Sequence, residues 1–343
     1  MSTLLFGGIT LLNVSAVACI LKYGLPQPFP WLWGLLFAGM LLQGAFSPLG
    51  TPERFYVFLA LLSAVIVGAA AGHHHQLARA LAIGLAAFVV ADAVRLIPTA
   101  DVVASSGELQ LGGLVRRPYA LEHPNVVAAW SLLLPFGLWT PIVVLATQSR
   151  GALAGLVTML IAHYAPRRSL PWAAAGGAVV LIAAMLIRPG TMLARVDFWV
   201  EGLRFAAARP LTGWGSGSYY TSLSNTGPAA EMNAVVDYQR TGMHTAHNAA
   251  ITIAAENGLP GLMAFAGLAG SVFVLVRRST HPARWGLLAF WVQQLFDDQW
   301  LHPVTAVLLG LAIAACLFKG YSDLVVENWF SSTLLELLSE VET

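Results

Sequence analysis

The chain has 343 residues, of which 57% are hydrophobic and only 10% are charged, and its formal net charge is +1. A soluble domain carries about a quarter charged residues, so this composition excludes an ordinary soluble protein, and the small net charge offers no basis for nucleic-acid binding. Hydrophobic runs of about 20 residues, the length that spans a bilayer, recur along the chain. We therefore predict an all-α polytopic integral membrane protein that contacts the lipid bilayer.

The N-terminal third is predicted to contain four hydrophobic segments, at 4–21, 31–46, 55–71 and 77–97. The run His73-His74-His75 follows the third segment, and three histidines could bind a metal, but their inferred cytoplasmic position favours a loop. A polar stretch at 98–123 comes next. It is much longer than a usual connection, and long loops are where functional residues concentrate.

The short hydrophobic piece at 125–150 has room for one full span or for two half-depth helices. The basic loops around Arg167 and Arg277 should be cytoplasmic by the positive-inside rule. That topology favours a short hairpin, with turn formers at Pro135 and Pro141. Such a hairpin leaves Arg117 and Arg150 at the outer face.

The chain is then predicted to span inward at 151–164 and outward at 170–187, to form a large periplasmic loop at 188–247, and to return inward at 249–276. Two further segments follow at 285–295 and 304–318. The whole chain then has about eleven membrane segments in one helical domain at 1–320, followed by an acidic cytoplasmic tail at 321–343.

The stretch from Arg240 to Leu262 carries polar groups at the mouth of a hydrophobic helix. His247 and Asn248 lie where the helix begins, and Glu256 follows roughly two and a half turns later at about 3.6 residues per turn. Gly258 and the nearby Pro260 and Gly261 should disturb the helix. Polar groups in such a place are costly unless they are used, so this stretch is the predicted centre of function.

On this topology several motifs share the outer face. They are Arg116-Arg117 ahead of His123-Pro124-Asn125, Ser149-Arg150-Gly151-Ala152, Arg195 with Trp199, the glycine-rich Gly213–Ser218, His244, His247-Asn248, and Glu256 to Gly261. This ordered series resembles the O-antigen ligase and polymerase superfamily of bacterial membrane glycosyltransferases. The resemblance covers roughly Arg116 to Leu262.

The resemblance implies a GT-C-like helical bundle in the bacterial inner membrane, with its active site at the periplasmic face. It implies an undecaprenyl-diphosphate-linked glycan donor, a lipid-anchored, protein or glycan acceptor, and inverting transfer without a metal or cofactor. By the correspondence of motifs, three arginines would bind the donor diphosphate: Arg150, Arg195 and one of the pair Arg116 and Arg117, with Arg117 preferred. His247 would assist the acceptor hydroxyl, with His244 beside it.

Physical chemistry agrees with these roles. Preorganised arginines stabilise the charge that develops on a leaving diphosphate, and their planar fork suits phosphate oxygens. A histidine is a suitable base for a hydroxyl proton.

Other polar residues have simpler interpretations. Asn125 is predicted to be a helix N-cap, and Arg204 a surface charge with a lesser chance of a supporting role. Glu256 is expected to hold a structural hydrogen bond within its helix or to orient His247 through neighbours, in preference to a direct catalytic role. The glycines of Gly213–Ser218 are interpreted as a turn lining the site, and Asp297 and Asp298 as a solvated helix end that could contact the acceptor.

Three functional alternatives stay open at this point. A ligase, a polysaccharide polymerase and a protein O-oligosaccharyltransferase share one chemistry and differ in the acceptor, and ligase is preferred only weakly. A transporter or flippase of lipid-linked sugars would need internal repeats and paired broken helices, which the sequence does not display. An intramembrane serine protease using Ser216 and His247 would need its nucleophile inside a helix, whereas Ser216 lies in a glycine-rich loop.

Overall fold

The computed structural model describes residues 3–27, 29–71, 124–133, 139–147, 149–166, 168–169, 171, 175–179, 182, 189–218, 246–281 and 283–317. Within these ranges all regular structure is helical. The principal helices are α1 Thr3–Tyr23, α2 Trp31–Ala45, α3 Glu53–Ala71, α4 Pro124–Leu133, α5 Trp139–Thr147, α6 Arg150–Tyr164, α7 Pro189–Ala208, α8 Ala249–Arg278, α9 Ala283–Gln293 and α10 Pro303–Leu317, with a 3-10 turn at Gln299–Leu301 before α10.

The predicted hydrophobic segments that the structure describes in full are helices, with ends that differ by one to three residues. Of the predicted segment at 170–187 only 171, 175–179 and 182 are described, and α7 lies in the stretch predicted as a large loop. Two of these helices are long and apolar enough to cross a membrane, α3 over Glu53–Ala70 and α8 over Ala249–Arg278. Shorter apolar stretches lie at Thr10–Tyr23, Trp31–Ala45 and Pro303–Leu317. The predicted segment at 77–97 and the acidic tail lie outside the described residues, as do His73, His74 and His75.

Small residues allow several helix pairs to pack backbone against backbone. A side chain at Gly310 of α10 would overlap the carbonyl oxygen of Leu61 in α3, and one at Gly155 of α6 would overlap that of Ala289 in α9. Gly286 of α9 meets the carbonyl of Leu132 in α4 in the same way. Association through small residues is the usual mode between helices in lipid, where hydrophobic burial alone cannot drive contact.

An aromatic cluster joins α2, α3, α8 and the 3-10 turn. Phe37 packs edge-on against Phe58 with ring centroids 5.0 Å apart, and it lies 5.5 Å from Phe265 and 5.8 Å from Trp300. Trp300 also stacks on Phe265 at 5.6 Å. Because Trp300 follows Asp298 by two residues, this cluster anchors the segment that carries the two aspartates.

The predicted disturbance of the long helix is confirmed at Gly258. Its φ of 66° and ψ of −170° are non-helical and interrupt α8. A residue with a side chain would be strained at this positive φ. Its Cβ would also overlap the backbone of Pro210 and Leu211.

The glycine-rich loop occupies the break in α8 and supplies the hydrogen bonds that the interrupted helix loses. Trp214 N donates to the carbonyl of Ala255 at 3.0 Å, and Gly215 N donates to that of Glu256 at 2.8 Å. In return, Leu259 N donates to the carbonyl of Pro210 at 2.7 Å. This docking satisfies backbone groups that would be costly to bury alone.

The same loop is tied to the α2–α3 connection. Ser216 Oγ donates to the carbonyl of Leu41 at 3.0 Å and accepts from Asn257 Nδ2 at 2.6 Å, while Thr51 N donates to the Ser216 carbonyl at 2.7 Å. The loop was expected to line the site. In the structure it packs on the helix break, where it pairs with the freed carbonyls of Ala255 and Glu256.

Two short helices, α4 and α5, occur where the sequence predicts a hairpin of half-depth helices. They contact each other near the intervening residues, where Thr140 Oγ1 donates to the carbonyl of Ser131 at 3.2 Å. Ser149 then caps α6 by accepting from Ala152 N at 3.4 Å. Arg117, which was predicted to lie at the outer face together with Arg150, is outside the described residues.

Candidate active site

The start of α8 is capped by Asn248. Its Oδ1 accepts from the backbone N–H groups of Ala250 and Ile251 at 3.1 and 3.2 Å, while its Nδ2 donates to the carbonyl of Leu295 at 3.0 Å. A side-chain oxygen here satisfies the free N–H groups of the first turn. The second contact joins this end of α8 to the end of α9.

His247 immediately precedes this cap in an unusual backbone conformation. Its φ is 48°, the only positive value among the non-glycine residues that the structure describes. Such strain is commonly found at functional sites. Its side chain is 35% exposed, and its ring lies 5.4 Å from that of Phe198 on α7, so the imidazole is held between α7 and α9 but still reaches solvent.

Asp297 is the buried partner of His247. Its Oδ1 lies 3.2 Å from His247 Nδ1 and also accepts from Asp298 N at 3.1 Å. Its Oδ2 accepts from Asn125 Nδ2 at 2.7 Å. A carboxylate on Nδ1 holds that nitrogen as the donor, so Nε2 is left as the proton acceptor.

Arg195 completes the group from α7. Its Nη1 donates to the carbonyl of Phe296, and its Nη2 lies 3.9 Å from Asp297 Oδ2. A guanidinium has five N–H donors in a fork, so these two contacts leave donors that could face phosphate oxygens. A cation and a histidine–carboxylate pair therefore meet at one point.

The charges within this group favour an ionised Asp297. Burial by itself would raise the pKa of Asp297, but the hydrogen bond and charge of His247, with the charge of Arg195, hold it below its usual range. Burial would lower the pKa of His247, but the hydrogen bond and charge of Asp297 outweigh it and the pKa is raised. The imidazole is thus a stronger base than an isolated histidine.

A second buried carboxyl, Asp298, directly follows Asp297. Burial and the neighbouring charge of Asp297 raise the pKa of Asp298. Its Oδ2 accepts from Thr252 Oγ1 at 3.1 Å. Both aspartates were expected to be solvated at a helix end, and this expectation is wrong because the segment after α9 folds back over α8 and buries them.

His247, Asp297 and Asp298 each offer one ligand atom, and these atoms lie within 4.8 Å of one another, a spacing that could hold a metal ion. The Asp297 oxygens, however, already accept from Asn125 and His247, and the Arg195 guanidinium lies beside them. A divalent cation would be repelled by Arg195 and would displace an amide donor. This donor set favours a charge-paired carboxylate over a metal ligand.

The other predicted residues lie at different distances from His247. Arg150 begins α6, whose next residue, Gly151, packs against Gln293 and Phe296, so this helix start adjoins the end of α9. Arg204 is exposed and pairs with Glu201 at 2.9 Å within α7. Arg116, Arg117 and His244 lie outside the described residues.

Asn125 and Glu256 have partners that the sequence did not reveal. Asn125 was predicted to be an N-cap, but α4 already begins at Pro124, so Asn125 lies in the first turn and its amide donates to Asp297. Glu256 forms a bidentate ion pair with Arg54 of α3, at 2.9 and 3.2 Å. The expected hydrogen bond within its own helix is replaced by an ion pair that ties α8 to α3.

The geometry excludes the pairing required for a serine protease. Ser216 is fully buried and bonded to Leu41 and Asn257. Asn257 lies ten residues beyond His247, which is about 15 Å along a helix at 1.5 Å per residue. Ser216 cannot reach the imidazole across that distance.

Sequence reasoning missed Arg54, Thr252 and the role of Asp297. The available signal was the dense polar run Asp297-Asp298-Gln299 directly after an apolar helix, because buried polar residues in a hydrophobic chain need partners. Arg54 offered no comparable signal, because an arginine at the start of a predicted span is commonly an interfacial charge.

Comparison with known proteins identifies part of the chain. Residues 135–266 match the model of a family described as O-antigen ligase. This match contains Arg150, Arg195, His247 and Glu256, and it confirms the resemblance to the O-antigen ligase superfamily. Arg54, Asn125, Asp297 and Asp298 lie outside the matched range. No curated protein matches the sequence significantly.

Proposed function

We propose that this chain, whose residues 135–266 match the O-antigen ligase family model, moves a glycan from undecaprenyl diphosphate to an acceptor hydroxyl. The observation that carries the proposal is the His247–Asp297 pair, 3.2 Å apart, with the Arg195 guanidinium beside the same carboxylate. A base and a cation in contact with one buried carboxylate are the two groups that this transfer needs.

In the proposed reaction the acceptor oxygen attacks the anomeric carbon of the first sugar while its proton passes to His247 Nε2. The bond from that carbon to the phosphate oxygen breaks, and undecaprenyl diphosphate leaves with the electron pair. Attack from the face opposite the leaving group inverts the anomeric configuration. General-base assistance of this kind contributes about 10²–10⁴-fold to the rate.

The developing charge on the diphosphate would be met by arginines. Arg195 is in contact with the His247–Asp297 pair, and Arg150 starts a helix that packs at the end of α9. Fixed cations in a water-poor site stabilise such charge more than solvent does. Arg117 or Arg116 would add a further cation, as the superfamily pattern implies, and His244 would lie near His247.

The proposed setting is the periplasmic face of the bacterial inner membrane, in a GT-C-like bundle of about eleven membrane segments with a large periplasmic loop. The two membrane-length helices and the apolar character of the chain support this placement. The acceptor distinguishes ligase, polymerase and protein O-oligosaccharyltransferase, and we favour the ligase.

The test is transfer by purified protein from a synthetic undecaprenyl-diphosphate-linked glycan to candidate lipid, glycan and protein acceptors. His247→Ala should lower turnover about 10²–10⁴-fold because the base is lost. His163→Ala is the matched control, since His163 is exposed near the opposite end of α6 from Arg150 and should leave turnover unchanged. Full activity in His247→Ala would remove this residue from the reaction.

The same assay with a chelator tests whether the group around Asp297 works without a metal ion. Activity should survive EDTA, because Arg195 and Asn125 occupy the positions that a metal would need. Lipid-linked glycan that crosses the membrane of proteoliposomes without any transfer would instead favour the flippase alternative.

A further inference from the structure

A buried polar stripe runs along one face of α8, from the capped end toward the break. Asn248, Thr252 and Glu256 are four residues apart, so they lie on the same side of the helix. Asn248 contacts the carbonyl of Leu295, Thr252 contacts Asp298, and Glu256 contacts Arg54. Two chain segments, the one after α9 and α3, are therefore fastened to α8 through consecutive turns of one face.

The middle contact of this stripe fixes the second aspartate. Thr252 is fully buried, and its hydroxyl donates to Asp298 Oδ2 at 3.1 Å. The backbone N–H of Asp298 in turn donates to Asp297 Oδ1 at 3.1 Å, and this same oxygen lies 3.2 Å from His247 Nδ1. A displacement of Asp298 would therefore move an oxygen that orients His247.

The inner contact is an ion pair with almost no access to water. Arg54 and Glu256 are 3% and 2% exposed, and Arg54 Nε and Nη2 each donate to one oxygen of the Glu256 carboxylate. The Arg54 charge also acts on Asp298 and lowers its pKa against the effect of burial. The carbonyl of Glu256 accepts from Gly215 N at the break. This pair thus holds α3, the α8 break and the environment of Asp298 together.

We infer that Thr252, Glu256 and Arg54 are positioning residues that fix Asp298, and through its backbone the Asp297 carboxylate that orients His247. This inference rests on the proposed role of His247 as the base. Thr252 contacts Asp298 directly, and Arg54, held by Glu256, acts on Asp298 through its charge.

The charged and titratable groups around His247 come from each element packed against it. Arg195 faces it from α7, Asp297 and Asp298 from the segment after α9, and Arg54 with Glu256 from α3 and the interior of α8. The charges of Asp297 and Asp298 raise the pKa of His247, and the charge of His247 lowers the pKa of both aspartates.

Thr252→Val tests the inference, because it removes the hydroxyl while the residue keeps its shape. Without this donor, Asp298 holds its proton more strongly and its negative charge no longer supports the imidazolium. The pKa of His247 should therefore fall, and turnover should fall about tenfold with the donor KM changed less than twofold. Thr252→Ser, which keeps the hydroxyl, should restore both.

Thr305→Val is the matched control. Thr305 is also fully buried, and its hydroxyl accepts from Trp130 Nε1 at 2.9 Å, away from His247. The titration is followed by NMR of protein with ¹³C-labelled histidine. The signal of His247, one of nine histidines, is assigned by its loss in His247→Gln. This readout does not require transfer activity, so it tests the positioning role even if no glycan is moved.

Two results would overturn the inference. One is a His247 titration in Thr252→Val that coincides with those of wild type and Thr305→Val. The other is a loss of turnover in Thr252→Val that merely follows the loss of folded protein and equals that of Thr305→Val. A shifted titration in a protein that transfers no glycan would retain the positioning role and reject the proposed function.

Discussion

His247 owes its orientation to Asp297, which lies 50 positions later in the chain. The positive φ of His247 and the cap formed by Asn248 set its backbone, and the carboxylate then selects which ring nitrogen carries the proton. The backbone conformation alone would not be sufficient, because an imidazole without the carboxylate would exchange tautomers in solvent. His247 and Asp297 therefore act together as one functional pair.

Asp297→Asn should shift the acidic limb of the pH–activity profile to lower pH. In the wild type, activity is lost as the pH falls through the raised pKa of His247, because the imidazolium cannot accept a proton. The amide of Asn removes the charge that raises the pKa of His247, so the effect of burial lowers this pKa. The acidic limb of the profile therefore moves to lower pH. Maximal kcat should also fall about 10²–10⁴-fold, as general-base catalysis is impaired.

The measurement is kcat as a function of pH at saturating donor and acceptor. Asp197→Asn serves as the control, because Asp197 lies on α7 two residues from Arg195 but is exposed. An acidic limb at the wild-type position in Asp297→Asn would show that this carboxylate does not govern the base.

Among the helices, α8 has the most demanding geometry, because it must carry the site at its start and a break ten residues later. The break is stable because the loop at Pro210–Ser218 supplies its missing hydrogen bonds. Gly213 has a φ of 63° and lies against the Glu256 carbonyl, where no side chain would fit. The loop and the helix are therefore one structural unit.

Gly258→Ala should destabilise the protein by about 1–3 kcal/mol through backbone strain, with a further cost from overlap with Pro210 and Leu211. Gly270→Ala, in the same helix, has nothing within 4 Å of its added methyl group and should be neutral or stabilising. Thermal unfolding of the two variants in detergent gives the comparison. Equal melting temperatures would mean that the break is not required.

At the scale of the whole molecule, the site and the basic end of α8 lie at opposite ends of a helix long enough to cross a membrane. Arg277 and Arg278 close this helix, and basic residues favour the cytoplasmic side. The proposed topology therefore places Leu295, beside the site, in the periplasm and Thr280 in the cytoplasm.

Cysteine labelling tests this orientation after Cys19 and Cys316 are replaced by alanine. A membrane-impermeant maleimide applied to intact spheroplasts should label Leu295→Cys, and it should label Thr280→Cys only after permeabilisation, since both positions are exposed. The reverse pattern would place the site in the cytoplasm and contradict a periplasmic transferase.

The sequence predicted the apolar helices of the described ranges, because runs of apolar residues bounded by charges or prolines determine where a hydrophobic chain is helical, but it placed the more polar α7 in a loop. It also predicted that α8 breaks near Gly258 and that His247 lies at its start. The expectation for Asp297 and Asp298 was wrong for a definite reason. Local sequence placed them at a helix end, and only the path of the chain after α9 buries them.

The sequence by itself determined the composition, the helical periodicity and the motif order that ends in His247, since each depends on residues near one another in the chain. Tertiary structure alone decided which side chains meet. Arg54 pairs with Glu256 across 202 positions, and Asn125 with Asp297 across 172. Such pairs form because a buried charge or amide is stable only with a partner, and the packing of distant helices supplies that partner.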